Sequence, residues 1–183
     1  MNIQLANVRL SFPNLFRPKA FSAPTPGQPA SEPKFSATAI LEKVQDAAQI
    51  KALQAGMKAI AEEKWGVGKV PKSVKLCLRD GAEKDETDGY GDEVMFVSAS
   101  SAKRVPVVDR DLTPLMEENG KPYAGCYVNM SIRLWAQDNQ FGKRVNAQLR
   151  AVQFVKDGEA FGDKPVDPQK EFKQIEDSGN SLD

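Results

Sequence analysis

The chain has 183 residues, 25 lysines and arginines against 25 aspartates and glutamates, 40% apolar residues and no histidine. That length and apolar content suffice for one domain with a real core plus extensions, and the missing histidine excludes Ser-His-Asp, Cys-His and His-based zinc chemistry. There is no run of 18 apolar residues, no basic start leading into an apolar signal core, no GxxxxGK loop and no GxGxxG element, so the chain reads as soluble, cytoplasmic and without a phosphate loop.

IQLANVRL (3–10) is the first strand candidate and runs into SFPNLFRPKAF; the four prolines of SAPTPGQPASEP (22–33) then mark a mobile loop. KFSATAILEK (34–43) is a second strand. Asp46 stands as an N-cap with Gln49 at the capping-box position, and Ile50, Leu53, Met57, Ile60 and Ala61 recur at helical spacing until Trp65 and Gly66 close the segment. This apolar stripe is a core-facing one.

Strands resume with SVKLCLR (73–79) and EVMFVSAS (93–100), separated by DGAEKDETDGYGD (80–92). The carboxylates Asp80, Asp85, Asp88 and Asp92 do not follow the EF-hand spacing, so this loop reads as solvated and not as a metal site. CYVNMSIRLW (126–135) alternates throughout: Cys126, Val128, Met130, Ile132 and Leu134 form a core face, while Tyr127, Asn129, Ser131, Arg133 and Trp135 form the other. KRVNAQLRAVQFV (143–155) follows through the turn AQDNQFG.

About six strands with one inserted helix indicate a mainly β fold, an OB-like antiparallel barrel. The barrel domain is expected over residues 1–162, with a flexible acidic tail over 163–183, where hydrophobic periodicity is lost. Cys77 and Cys126 lie in separate strand-like runs and read as reduced, mostly buried thiols. No cofactor is called for.

The zero net charge hides an asymmetry. From Asp157 onward eight acidic residues face three lysines, a net of −5, so residues 1–156 carry +5. A basic body with an acidic end is a pattern associated with nucleic-acid binding. Basic and aromatic residues also interleave. The strongest candidates are Tyr127, Arg133, Trp135, Lys143, Arg144 and Arg150; Arg17, Lys19, Lys103 and Arg104 form a second group. Cations that track phosphates and rings that stack on bases are what a sequence-blind binder of single strands requires. Phe12 and Phe16 are assigned by burial ranking to the core.

Two other classes are open. Asp109 and Asp111 in VVDRD offer carboxylates for a metal-dependent nuclease, although nothing else completes a two-metal site. A structural or interaction protein with no DNA binding is the other.

RLSFPNLFRPKAF, KWG at the helix end, LRDG before the acidic loop, SASSAKRVPVVD, YAGCYVNMSIRLWA and VQFVKDGEAFG occur in that order across residues 1–162. Together they resemble a family of bacteriophage single-stranded-DNA-binding proteins, first catalogued as a domain of unknown function. The family is similar to the OB-fold replication SSBs of short-tailed phages. The resemblance implies an oligonucleotide-binding fold, sequence-independent binding of single-stranded DNA and service in phage replication or recombination, in the host cytoplasm and without enzymatic activity. It also gives the tail a meaning, because such proteins commonly end in an acidic segment. EFKQIEDSGNSLD would compete with DNA for the basic groove and dock replication or recombination proteins. The 27 residues from Asp157 extend at most ~90 Å, enough to fold back over a small domain.

Overall fold

The computed structural model describes residues 1–20, 26, 31–162 and 168–176. Two expectations fall partly or wholly outside these: the proline-rich loop at 22–33, described only at 26 and 31–33, and the tail at 163–167 and 177–183. Of the acidic tail, the described part holds one short helical turn, α2 (Pro168–Glu171), followed by the exposed Phe172 and Ile175.

The first strand, β1 (Asn2–Lys19), runs far beyond residue 10 and takes in SFPNLFRPK. It pairs antiparallel with β2 (Lys34–Glu42) on one side and with β7 (Tyr127–Asn139) on the other. Two irregularities let one strand bend enough to serve both: Asn7 (φ 50°) sits where Leu5 and Val8 step out of register with β7, and Phe12 (φ 45°) sits where Ser11 and Asn14 step out of register with β2. Pro13, which has no N–H to contribute to a ladder, falls inside the second.

Beyond β2 the helix α1 (Ala47–Trp65) forms as its periodicity predicts, with Ile50, Leu53, Met57 and Ala61 buried and Gly66 donating its N–H to Glu62 O at 2.8 Å. The capping box does not form. Asp46 makes no side-chain cap; its Oδ2 accepts instead from Glu42 N at 2.8 Å and its Oδ1 from Gln49 Nε2 at 3.1 Å. Gln49 is drawn away by the β1 bulge, whose Ala6 backbone has two groups without ladder partners.

The strand expected over 73–79 is broken at Cys77 into β3 (Lys75–Leu76) and β4 (Leu78–Asp80), each of which serves a different neighbour. β3 pairs parallel with β8 (Gly142–Lys156), and β4 pairs antiparallel with β5 (Val94–Ser101). A further short strand, β6 (Val107–Val108), also pairs with β8. Eight strands are therefore present among the described residues, two more than the sequence suggested, and the extra ones are short.

The sheet order is β3-β8-β7-β1-β2-β5-β4, and a parallel pairing of β5 with β8, Ala99 to Ala147 and Ser100 to Gln148, closes the ring. Five strands, β1, β2, β5, β8 and β7, thus form a closed barrel of the oligonucleotide-binding type. Its interior is filled by residues such as Leu5, Leu41, Val97, Met130 and Leu149. α1 packs on β7 with smaller contacts to β2 and β8. Cys126, placed by its sequence at the head of β7, is buried just before the strand begins.

The residues following β8 return to the barrel wall. Gly125 (φ 103°) lies so close to the Glu159 carbonyl that a side chain there would collide with it. Arg9 ties the crossing together: its Nε donates to Gly125 O at 3.1 Å, its Nη2 to Glu159 O at 2.8 Å, and its guanidinium lies 4.3 Å from the Phe161 ring centroid. The YAGCY and DGEAF elements are thus held against each other. Among the described residues, no helix is long and apolar enough to cross a membrane.

Candidate nucleic-acid interface

Alternation along β7 sorts its side chains as expected. Val128, Met130, Ile132 and Leu134 are each 1% exposed or less, whereas Arg133 is exposed and Trp135 is 43% exposed. Across the β7–β8 ladder Arg133 faces Gln148, Trp135 faces Asn146 and Gln137 faces Arg144. Directly opposed residues share one face of a sheet. Arg133, Trp135 and Arg144 therefore stand on the same outer surface.

Arg150 lies on that surface by alternation from Arg144, Asn146 and Gln148, and it sits at a bulge. Ile132 pairs with Leu149 and Ser131 with Ala151, which leaves Arg150 unopposed. The extra residue reverses the phase of β8: Val145, Ala147 and Leu149 point inward before it, Val152 and Phe154 after it. Arg150, in phase with Gln148, already points outward beside Arg133, and the bulge is what lets Val152 and Phe154 return to the interior. Arg104, from the segment after β5, completes the group.

These three arginines line an open depression of about 520 Å³ together with Met1, Asn2, Val105, Pro106, Gln148 and Leu149. No carboxylate is among the lining residues. Among the described residues neither Arg133 nor Arg150 has an ion-pair partner, and the Arg104 guanidinium rests 5.7 Å from the Phe16 ring centroid. Cations gathered in a concave site without counter-charges focus a positive potential on it.

The remaining predicted residues are spread more widely. Arg17 is paired with Glu117 at 3.0 Å, Lys19 is exposed opposite Lys34, and Lys103 is exposed while its backbone N–H donates to Ser101 Oγ at 3.2 Å. None of them lines the depression. Lys143 faces Asp138 across the hairpin. That carboxylate accepts from the Trp65 indole N–H at 2.9 Å, so Lys143 belongs to the helix side of the sheet. Tyr127 is half-buried, with Lys156 Nζ 4.7 Å and the Arg9 guanidinium 6.0 Å from its ring centroid. It sits about 20 Å along β7 from Arg133 by the strand rise.

A second concavity, with Ser36 and Thr38 buried at its floor, holds none of the predicted residues. On the outside of β2 and β5, Ser36 faces Ser100 and Thr38 faces Ser98, with Thr38 Oγ1 and Ser98 Oγ 2.8 Å apart. Asn14 Nδ2 donates to Ser36 Oγ at 3.1 Å. With Phe12 and Ala99 these residues line a slot of about 220 Å³. Phe12 is 51% exposed, contrary to its assignment to the core, because its positive φ turns it out of the strand pattern. Phe16 is half-buried and packs on the core.

The acidic segment 80–92 folds onto the same surface instead of extending into solvent. Its Tyr90 ring lies 6.3 Å from Phe12 and edge-on to Phe96 at 5.1 Å, and its hydroxyl donates to Ser11 Oγ at 3.1 Å. Burial raises the Tyr90 phenol above its usual pKa, against the opposing effect of its hydrogen bonds with Ser11 and Thr38. Lys84 Nζ stands 5.5, 5.6 and 5.1 Å from the centroids of Phe12, Tyr90 and Phe96. A sequence signal for this face exists: Ser and Thr at every second position of FSATA, and Ser at every second position of VSAS, mark the outer sides of β2 and β5.

The carboxylates considered for metal chemistry have structural partners. Asp109 binds Lys121 at 2.9 Å and accepts from Arg110 N–H; Asp111 accepts from Thr113 N–H at 3.0 Å. Lys121 holds the Asp109 carboxyl below the usual range, and the bonds from Thr113 do the same for Asp111. Among the described residues no group of three His, Cys, Asp or Glu is placed to hold a metal ion.

A five-stranded oligonucleotide-binding barrel with an exposed, cationic outer face defines the class. The chain belongs to the family of the single-stranded-DNA-binding protein of Enterobacter phage Enc34, whose sequence pattern it matches over residues 1–182. A relative from Acyrthosiphon pisum secondary endosymbiont phage 1, described as putative protein p50, is 40% identical and aligns over 96% of this chain and 94% of its own length. The solved complex of the Enc34 protein with single-stranded DNA superimposes with a TM-score of 0.75 at 29% identity, covering 88% of this chain and 89% of that one. T7 gp2.5, a phage single-stranded-DNA-binding protein, shares the fold at 16% identity with a TM-score of 0.54, over 98% of this chain and 97% of its own.

Proposed function

We propose that this chain binds single-stranded DNA without reading sequence, in phage DNA replication or recombination in the host-cell cytoplasm, and that it does so without enzymatic activity. The observation that carries the reading is the acid-free depression of Arg104, Arg133 and Arg150 beside the exposed ring of Trp135, on the barrel of a chain from this family. Arginines in such a depression neutralise successive phosphates and release their counterions. Trp135 offers a stacking plane to an unpaired base, which a duplex cannot present. Arg144 extends the cationic surface along the hairpin, with Arg17, Lys19 and Lys103 as outlying cations; Tyr127 and Lys143 stand apart from it.

The acidic tail acts on the same surface as a competitor and as a docking segment for replication or recombination proteins. Its point of departure supports this. Gly162 N–H donates to Asp88 Oδ2 at 2.8 Å, and Phe161 packs on Gly89, so the body ends next to Tyr90 on the outer barrel wall. A segment starting there begins within reach of the cations it would cover.

A gel-shift comparison of single-stranded DNA, duplex DNA and RNA tests the reading. Retardation of single strands with weaker retardation of duplex is expected; no retardation of single strands would leave only a structural or interaction role. The nuclease alternative draws no support from Asp109 and Asp111, whose carboxylates are engaged by Lys121 and Thr113.

A further inference from the structure

From the last turn of α1 into β4 the chain reads KWGVGKVPKSVKLCLR (64–79), with five cations and no carboxylate. Lys64, Lys69, Lys72 and Lys75 are all exposed, and none of the four makes an ion pair among the described residues; Arg79 is paired with Glu83. Two aliphatic side chains stand among these lysines, Val67 at 80% and Leu76 at 46% exposed. A turn carries Val67, closed by Lys69 N–H donating to Gly66 O at 3.0 Å. Leu76 lies in β3 opposite Val145, and β3 ends the sheet order, with β8 on one side and no described strand on the other.

This surface differs in kind from the arginine depression. Its exposed apolar groups are aliphatic and offer no plane on which a base could stack. Its complement is a protein segment in which carboxylates flank apolar anchors. Residues 171–176, EFKQIE, have that composition: Phe172 is 77% and Ile175 90% exposed, with Glu171 and Glu176 outside them. The Phe172 N–H donates to Pro168 O at 2.9 Å, and a spacing of three lets Phe172 and Ile175 face one way when that helical turn is extended.

Reach decides which molecule supplies the segment. The body ends beside Tyr127, where Phe161 and Tyr127 share the Arg9 guanidinium. The lysine surface lies at the other end of β7, where the Trp65 indole donates to Asp138, about 36 Å from Tyr127 by the strand rise. With the turn at α2, the chain from Gly162 to Phe172 extends at most about 27 Å. Phe172 therefore falls short of its own lysine surface.

We propose that the end of α1 and β3 form a docking surface for residues 171–176 of a second copy of this chain. Phe172 and Ile175 sit on Val67 and Leu76, and Glu171 and Glu176 pair with the lysines around them. Lys75 is the direct partner of Arg144, so the docked segment abuts the cationic outer face. The inference stands apart from the DNA-binding reading, since it needs no nucleic acid.

Sedimentation velocity on the full chain, without DNA and at low salt, tests it. The wild-type chain is expected to associate as concentration rises and to dissociate as salt screens the pairs. Lys69→Glu with Lys72→Glu, and separately Phe172→Ala with Ile175→Ala, are each expected to weaken association about tenfold. Circular dichroism melts establish that both variants are folded. Mixing them should recover a complex, because one keeps the segment and the other keeps the surface. A fluorescein-labelled peptide of residues 168–183 should bind the second variant and not the first. A wild-type chain that stays monomeric, even one that binds the peptide, would overturn docking between copies and leave the lysines as guards of an edge strand. Unchanged association in both folded variants would overturn it too. So would lysine variants that associate normally but lose affinity for an oligothymidylate, since nucleic acid would then be the occupant. The gel shift tests the DNA-binding reading separately.

Discussion

Gln49 on α1 makes both hydrogen bonds of a missing strand partner to Ala6 on β1: its Oε1 accepts from Ala6 N at 2.7 Å and its Nε2 donates to Ala6 O at 2.9 Å. The β1 bulge would otherwise leave that peptide outside the ladder, since β7 skips from Met130, opposite Leu5, to Val128, opposite Val8. One amide side chain thereby fixes the helix on the barrel. Gln49→Ala is expected to lower unfolding free energy by about 1–2 kcal/mol, two ordinary hydrogen bonds at the usual net value, measured by urea denaturation. Affinity for DNA should stay unchanged, because Gln49 lines neither concavity.

Trp135 is the only exposed tryptophan on the β7–β8 face among the described residues. Trp135→Ala should reduce affinity for single strands by about 1–3 kcal/mol, the range for loss of one stacked base, with little change in melting temperature. Isothermal titration with an oligothymidylate measures it. Unaltered affinity would move the stacking role away from this ring.

Cys126 is buried and Cys77 is half-buried, and both are free thiols. Burial pushes Cys77 and Cys126 up to about 11, from an ordinary value of 9.0. The folded state favours the neutral thiol, so the stabilisation is complete below about pH 9 and is lost as pH rises through 11. Chemical denaturation across pH 8 to 11 should show a plateau and then a decline. At pH 8 a thiol reagent should react with the folded chain far more slowly than with the chain in denaturant.

The alternation of β7, the periodicity of α1 and the outward placement of Arg133 and Trp135 were all legible, because each follows from one local period. The bulges were not. Asn7 and Arg150 interrupt their strands without a compositional mark, Phe12 has only Pro13 beside it, and whether a residue is unopposed depends on the register of a partner far away in sequence. Arg150 was a candidate by type, but its place next to Arg104 depends on the β5–β8 closure, which pairs residues nearly fifty positions apart. Lys143 is the reverse case: it shares the phase of buried Val145, and that phase already placed it on the other side of the sheet. Lys84 and Tyr90 were hidden by the acidic residues around them, which made the segment resemble a solvated loop.

Removal of residues 163–183 should raise affinity for single strands at low salt, because the deleted segment carries Asp163, Asp167, Glu171, Glu176, Asp177 and Asp183 against three lysines. The gain should shrink as salt screens the competition. Equal affinities for the two chains at low salt would remove the competitive role.

The most direct test of the central claim is the salt dependence of binding to an oligothymidylate, for the wild-type chain and for Arg133→Ala combined with Arg150→Ala. A single strand loses about 0.7 in log–log slope for each phosphate neutralised. The wild-type slope should therefore be about −2 or steeper for three arginines, and the double variant should be shallower by about 1.4. A flat wild-type dependence, or a double variant with the wild-type slope, would contradict capture of the strand in the arginine depression.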